Sequence, residues 1–520
     1  MASTGLLVVS NIKHLGTSLR SIEKYVSSLY IALNVSTCGA KQEIQPPPPP
    51  VWGRLISQVY ADSSSYVGNN IDLRVLVTPL KPFDSASGLV KLHKTVDVLF
   101  SDAHQPELCE SWRRTLNITK PTIFLQDTDM NDLATLESSP QEVKVYPNVV
   151  LGGTFDRIHI GHKIFLTQAV LRATQRLVVG VTTATMTKSK TLPYLILPVE
   201  ERIAQLRDFL MDIDSTLQYD IVPIDDPFGP TQHDPDMDMI VVSAETFRGG
   251  QKVNEIRSSK HLSQLDIFVI DIVESNVSDS IHESKVSSSN TRIDLLGTRW
   301  RKPEPRPNLP AVPYIIGLTG GIASGKSKMA ERLGKLGAHV IDCDKVAHDV
   351  YEPGQTCYEK IVKHFGNHIL AMDGRIDRTK LGPIVFSNTK ELQTLNDIVW
   401  PELMVEVKRR LAVLSSLPTP PKVVVLEAAV LLRAGWETEC HEVWSMVVPP
   451  EEAVRRIIER NGLSEEEACK RLSNQVPNSE IVAKSNVIFS SQWDYDFTQK
   501  QAERAWNMLN KELNSRHSSL

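Results

Sequence analysis

The stretch YIIGLTGGIASGKSKMAERL, residues 314–333, decides the fold class. Tyr314–Leu318 is a short, apolar, β-branched run and reads as a buried parallel strand. It leads through Gly320, Gly321, Ile322, Ala323, Ser324 and Gly325 into Lys326 and Ser327, after which Lys326–Leu336 reads as a helix. A strand, a glycine-rich turn ending in Gly-Lys-Ser, and a helix form the setting a phosphate loop requires. In such a loop backbone amides would wrap the β-phosphate of ATP, Lys326 would bridge β and γ oxygens, and the Ser327 hydroxyl would ligate Mg²⁺. His339–Ile341, Lys422–Leu426 and Val443–Val448 read as further strands, which implies a parallel sheet with its ligands at the carboxyl ends.

The same alternation precedes it. Val145–Leu151, Leu177–Val181 and Met239–Val242 read as strands, with helices over Lys163–Thr174 and Glu200–Leu210. The first of these strands ends in GGTFDRIHIGH, residues 152–162. Gly152 and Gly153 allow a tight turn and a close approach to a ligand. His159 and His162, three apart at a helix start, share one face beside the positive end of the helix dipole and suit a polyphosphate. They could offset charge on a phosphoryl centre without a protein nucleophile. A zinc site is the alternative, but no third ligand stands nearby.

Length and composition frame the two motifs. At roughly 150 residues per domain, 520 residues suggest three or four domains. With 41% hydrophobic and 23% charged residues the chain is of ordinary globular composition. A net charge of −5 argues against a dedicated nucleic-acid binder. The longest apolar stretch, Val423–Leu432, contains Glu427 and is too short to span a bilayer. Cys38, Cys109, Cys343, Cys357, Cys440 and Cys469 form no CxxC pair and read as free, packed thiols in a reducing compartment. Lys13, Arg20 and Lys24 among many Ser and Thr suit a mitochondrial transit segment or an ordinary helical start. A cytoplasmic location is expected, with a mitochondrial or mitochondrion-associated one as the alternative.

Pro46–Pro50 reads as a polyproline II spacer and a weak ligand for SH3-type partners. Gly297–Pro313, with five prolines and four basic residues, cannot join a packed helix or central sheet and reads as a linker. The expected organisation is an extension over 1–50, an α/β region over 51–143 with strands at Leu73–Val77, Val96–Phe100 and Thr122–Leu125, and a Rossmann-like domain over 144–296. A linker over 297–313 and a P-loop domain over 314–515 follow. No internal repeat is visible in the sequence.

GGTFDRIHIGH resembles the signature of the nucleotidyltransferase superfamily, whose members transfer a nucleotidyl group from ATP and release pyrophosphate. VSSSNTR, 286–292, resembles its second signature, which implies that Ser287, Ser288 and Arg292 hold the β- and γ-phosphates. Ser289, Asn290 and Thr291 depart from that pattern. The resemblance implies a transition-state lysine in the TKSK loop, Lys190 or Lys188, with Lys190 preferred, and nucleotide contacts at Gly152, Gly153 and Thr154. VVSAETFRGGQKVNEIR, 241–257, is similar to the nucleotide-lining segment of eukaryotic and archaeal phosphopantetheine adenylyltransferases, with Ser243, Glu245, Thr246, Asn254 and Arg257 in it.

The second half resembles dephospho-CoA kinase. Asp342–Cys343–Asp344 ends a strand, and the resemblance implies a carboxylate there that accepts the acceptor hydroxyl's proton. Asp342 takes that role, with helix capping left to Asp344. RRIIERNGLSEEEACKRLSNQ, 455–475, resembles the kinase lid, in which Arg460 and Arg471 close over phosphates; Ser464 and Glu467 read as a capping box. Trp400–Pro401 and Val430–Leu432 depart from the family pattern.

The order of the halves is similar to that of the bifunctional coenzyme A synthase family of animals. The resemblance implies adenylyl transfer from ATP to 4′-phosphopantetheine, then phosphorylation of dephospho-CoA, with Mg²⁺. A different adenylyltransferase–kinase pair and a scaffold with dead nucleotide pockets are the rival readings.

Overall fold

The computed structural model describes residues 3–34, 49–67, 71–81, 90–125, 144–271 and 279–517. The chain divides into two compact units, Met1–Thr291 and Arg292–Leu520.

The first unit holds two five-stranded parallel sheets. One comprises β1 (Thr4–Val9), β2 (Ser28–Leu33), β3 (Asp72–Val75), β4 (Val98–Ser101) and β5 (Ile123–Phe124), in the order β3-β2-β1-β4-β5. The other comprises β6 (Tyr146–Gly153), β7 (Ala173–Thr182), β8 (Gln218–Ile224), β9 (Met239–Ser243) and β10 (Asp266–Ile270), in the order β10-β9-β6-β7-β8. Every recorded pairing in both is parallel, as strand–helix alternation requires. One apolar core joins the two sheets, running from Leu7, Val9 and Trp52 to Leu166, Val170 and Phe209.

β1 and β2 correct the expectation of an extension over residues 1–50. Leu6–Val9 and Leu29–Leu33 are buried, and the amphipathic helix Leu15–Ile22 between them is the segment whose charges suggest a transit peptide. Pro49 and Pro50 open the helix Pro49–Val67, where a proline's missing N–H costs nothing; residues 46–48 lie outside the described residues. Cys38 does too. Cys109, Cys343, Cys357 and Cys440 are free and buried, whereas Cys469 is exposed, contrary to the reading of packed thiols.

The second unit has one sheet, order β12-β13-β11-β14-β15, from β11 (Tyr314–Gly320), β12 (His339–Asp342), β13 (Val423–Glu427), β14 (Glu442–Val447) and β15 (Val487–Ser490). The pairings among these five strands are all parallel. Gly317 in β11 is required by packing: a Cβ there would stand 2.5 Å from Leu431 and 2.8 Å from the Cys440 sulfur. Helices Cys343–Val350, Thr356–Phe365, Arg378–Ser387 and Thr389–Ser415 build a separate apolar cluster between β12 and β13. The proline-rich segment after Gly297 packs within this unit. Arg299 bridges to Val487 and reaches Glu442 and Glu512, and Trp300 N donates to Asn486 O at 2.7 Å. Among the described residues no helix is long and apolar enough to cross a membrane.

Candidate active sites

The first site forms where β6 ends. The chain turns through Phe155 and Arg157, both in the left-handed region (φ 49° and 51°), and enters the helix Ile160–Arg172. A Cβ on Gly153 would stand 3.0 Å from the Phe155 ring, which would have to shift to admit it; at Gly152 a Cβ would meet only ordinary contacts. His159 caps the helix, its Nδ1 accepting from His162 N at 3.4 Å, and the two imidazoles stack with centroids 3.8 Å apart. Gly161 leaves room for this, since a Cβ would stand 3.2 Å from His159 Cε1.

His162 Nδ1 is buried and has no hydrogen-bond partner among the described residues. Burial, then the charges of His159 and Lys190, hold its pKa well below the usual histidine value. His162 is thus a neutral imidazole at neutral pH, a hydrogen-bond donor rather than the cation the sequence suggests. Lys190 acts on His162 in this way; both Lys188 and Lys190 are exposed.

The serine loop lies beside the same helix start. Val286 O is 3.6 Å from the position a Cβ on Gly161 would take. Ser287 Oγ accepts from Asn290 N at 3.2 Å at the start of Ser288–Asp294, and Ser287 and Ser288 are half-buried. Asn290, a departure from the family pattern, has a structural use: its amide accepts from Glu283 N and donates to Glu283 O and Lys285 O. Ser243 and Thr246 form a capping box, and Glu245 pairs with Lys285 at 2.6 Å, tying the β9 loop to the serine loop.

Three residues differ from expectation. Arg292 is 1% exposed, a packed guanidinium rather than an open phosphate receptor. Arg257 is fully buried and donates to Ser263 O, Thr231 O and Asp234 O, while Asn254 is spent on both backbone groups of Leu265. Desolvated side chains with these partners hold loops and do not line a nucleotide. Arg202 was missed. Buried at 2% exposure, it donates to Thr154 O (2.6 Å), Thr182 O (2.8 Å) and Leu197 O (2.8 Å), clamping the ends of β6 and β7. Thr182 Oγ1 also donates to Thr154 Oγ1 at 3.2 Å. The available signal was an arginine inside the apolar face of the helix Val199–Ile213.

The second site is a cleft of about 800 Å³ over the loop Gly320–Ser327, lined also by Asp344, Arg456, Glu459, Arg460 and Gln475. Gly320 admits no Cβ, which would lie 2.7 Å from Met446 O and Ser324 Oγ. Gly325 sits at φ 88°, where L side chains are strained, and opens the helix Lys326–Lys335. Lys326 Nζ donates to Glu427 Oε1 at 2.7 Å, and Ser327 Oγ donates to the same oxygen at 2.5 Å. Glu427 ends β13, the neighbour of β11. A serine hydroxyl and a carboxylate oxygen together fit a hard divalent cation such as Mg²⁺.

The two aspartates exchange places relative to the sequence reading. Asp342 is the helix cap: its Oδ1 accepts from Asp344 N and Lys345 N, both at 3.1 Å, and it is absent from the cleft lining. Asp344 lines the cleft. Desolvation raises its carboxyl above the usual carboxylate range; Lys326 opposes the rise, and Asp342 and Glu427 add to it. The reason is local, since the first residue of a helix start needs an acceptor and leaves the third free to turn outward. In the lid segment the Ser464–Glu467 capping box is present. Arg460 lines the cleft; Arg471 is exposed and does not. Arg456, which sequence reasoning passed over, donates to Ala323 O (3.2 Å), Ser491 Oγ (2.8 Å) and Ser491 O (2.6 Å), and Ser491 Oγ donates to Ser324 O at 2.9 Å. These bonds brace the phosphate loop from the side of the cleft.

A glycine-lined phosphate loop on a parallel sheet, with an aspartate and arginines across the cleft, defines a P-loop kinase. Residues 314–494 match the dephospho-CoA kinase family model, and residues 150–293 match the cytidylyltransferase-like model. The dephospho-CoA kinase of Carboxydothermus hydrogenoformans is 40% identical over 187 residues, covering 36% of this chain and 90% of the relative. That of Geobacter sulfurreducens is 40% identical over 192 residues, covering 37% and 96%. A solved dephospho-CoA kinase from Campylobacter jejuni is 26% identical, covers 38% of this chain and 98% of its own, and superposes with a TM-score of 0.31. The chain belongs to the dephospho-CoA kinase family, and ahead of that kinase it carries a nucleotidyltransferase-like domain.

Proposed function

We propose that the chain catalyses the last two steps of coenzyme A synthesis: adenylyl transfer from ATP to 4′-phosphopantetheine, giving dephospho-CoA and pyrophosphate, then phosphorylation of the ribose 3′-hydroxyl, giving coenzyme A. One observation carries the reading. A kinase of the dephospho-CoA family follows, on the same chain, a nucleotidyltransferase-like domain with stacked histidines at a helix start, and the kinase's substrate is a product of adenylyl transfer.

At the first site the acceptor phosphate attacks the α-phosphorus of ATP in line. His159, His162 and Lys190 stabilise the charge that develops, and Ser287 and Ser288 receive the leaving phosphates at their helix start. Gly152, Gly153 and Thr154 leave space for the nucleotide, with Ser243 and Glu245 beside it. At the second site Lys326 and the amides of Gly320–Gly325 hold the β- and γ-phosphates, and Arg460 approaches across the cleft. Asp344 accepts the proton of the attacking hydroxyl. Mg²⁺, entering with ATP, would be held by Ser327 with Glu427 beside it and would neutralise phosphate charge.

The deciding experiment supplies 4′-phosphopantetheine and ATP and follows products by mass. Wild type is expected to yield coenzyme A. Lys326→Ala should stop at dephospho-CoA, and His162→Ala should form neither product unless dephospho-CoA is added. Coenzyme A from the Lys326→Ala protein would refute the kinase assignment.

A further inference from the structure

Residues 3–125 lie outside both family matches, yet their sheet repeats the connectivity of the sheet that follows. Numbered from its own first strand, each sheet reads 3-2-1-4-5. In each, the helix after the first strand is preceded by a histidine and carries a glycine at its second position. His14-Leu15-Gly16-Thr17 opens Leu15–Ile22, and His159-Ile160-Gly161-His162 opens Ile160–Arg172. In each, the fourth strand ends in serine, Ser101 or Ser243, before a helix. This shared topology is the repeat that the sequence conceals.

The first copy has no imidazole pair at this helix start. Thr17 stands where the second imidazole would be, its Oγ1 donating to His14 O at 2.9 Å. Gly16 faces the Tyr66 ring, which a Cβ would meet at 2.4 Å, where Gly161 faces His159. The amides of Ser10 and Asn11, just beyond the carboxyl end of β1, donate to the Asp102 carboxylate at 2.8 Å each, and Asp102 is 1% exposed. A buried carboxylate already on those amides repels any incoming phosphate.

This copy instead grips the histidine helix. Gln168 Nε2 donates to Gly53 O at 2.7 Å and to Ser57 Oγ at 3.1 Å, seating Ile160–Arg172 on the helix Pro49–Val67. Lys163, the residue after His162, is 8% exposed and donates to Asp72 Oδ1 at 2.9 Å and Leu73 O at 2.8 Å. Asp72 is held in turn by Arg74 and Lys94.

We propose that residues 3–125 are a second nucleotidyltransferase-type module that no longer takes a nucleotide and now positions the His159–His162 helix, with Asp72 as the positioning residue. The proposal rests on the adenylyl-transfer reading of the first site. Its test begins with wild type: absent adenylyl transfer there would sink that reading and not this one.

Given that activity, the isosteric Asp72→Asn should lower kcat for adenylyl transfer by about tenfold or more, since small displacements of charge-stabilising groups are costly. The rate with added dephospho-CoA should be unchanged, and Asp72→Glu should recover part of the loss. Histidine-selective NMR supplies a readout that mere loss of folded protein does not move. The His162 ring, which faces His159, Lys190 and Phe155, should titrate at higher pH in the folded signal of Asp72→Asn as its enclosure loosens; unfolded chains give a separate signal. An unmoved folded-state titration, or an unchanged kcat per folded protein, would overturn the positioning role. His14→Ala and Thr17→Ala should keep adenylyl transfer within about twofold, because neither touches the working site; a loss comparable to that of His159→Ala would show that the first module still does chemistry.

Discussion

Lys326 and Glu427 meet at 2.7 Å across the carboxyl ends of β11 and β13, with side chains 10% and 6% exposed. Removing one partner of such a pair strands a buried charge, which typically costs ~3 kcal/mol. Lys326→Ala should therefore lose both phosphoryl transfer and ~3 kcal/mol of stability in the kinase unit. The double variant Lys326→Met with Glu427→Gln should regain most of the stability and none of the activity. Denaturant titration beside a kinase assay measures both; full stability in Lys326→Ala would contradict the pairing.

The aspartates should separate by role. Asp344→Asn should lower kinase kcat by about 10²-fold or more, the scale of general-base loss. Asp342→Asn should cost ~1 kcal/mol or less of stability as a weakened cap, with activity within a few-fold. Because the Asp344 carboxyl is raised by desolvation, it takes up its proton at a higher pH than an ordinary aspartate. The acid limb of the wild-type kinase profile should thus lie above the usual aspartate value. Equal losses from both substitutions would contradict the assignment.

Arg456 and Arg471 differ in what they touch. Arg456→Met removes one bond to the phosphate loop at Ala323 O and two to Ser491, which itself holds Ser324 O, and should raise the KM for ATP about tenfold through loss of preorganisation. Arg471→Met, on an exposed helix face, should change it less than about twofold. Steady-state kinetics on the two variants decides the matter.

His162 makes the first unit sensitive to acid. Its folded pKa lies well below the ordinary histidine value, so the unfolded chain binds the proton more tightly. Stability is complete above the unfolded pKa of ~6.5 and falls as pH drops below it. Melting of the first unit should decline between about pH 6.5 and 5, and less so in His162→Gln. A polyphosphate held against the ring raises its proton affinity. ATP binding near pH 6 should therefore take up protons, visible as a buffer-dependent calorimetric heat.

The sequence by itself determined both catalytic motifs, the α/β class and the order of the two halves. Spacing alone carries those features: GKS after a strand and HIGH after GGTFD place their groups through one local turn. Tertiary structure decided the rest. Asp342 and Asp344 are equivalent in a linear reading; the local cap takes Asp342, and the packing around the start of the helix Cys343–Val350 puts Asp344 in the cleft. Arg202 and Arg456 act on carbonyls brought near by folding, so no local pattern announces them. In the first sheet β3, β4 and β5 were legible as short apolar runs, whereas β1 and β2 were not, and the repeat emerges only once the strand order is assembled. That order is set by which buried β-branched faces pair in space, a property of the assembled core and not of any one segment.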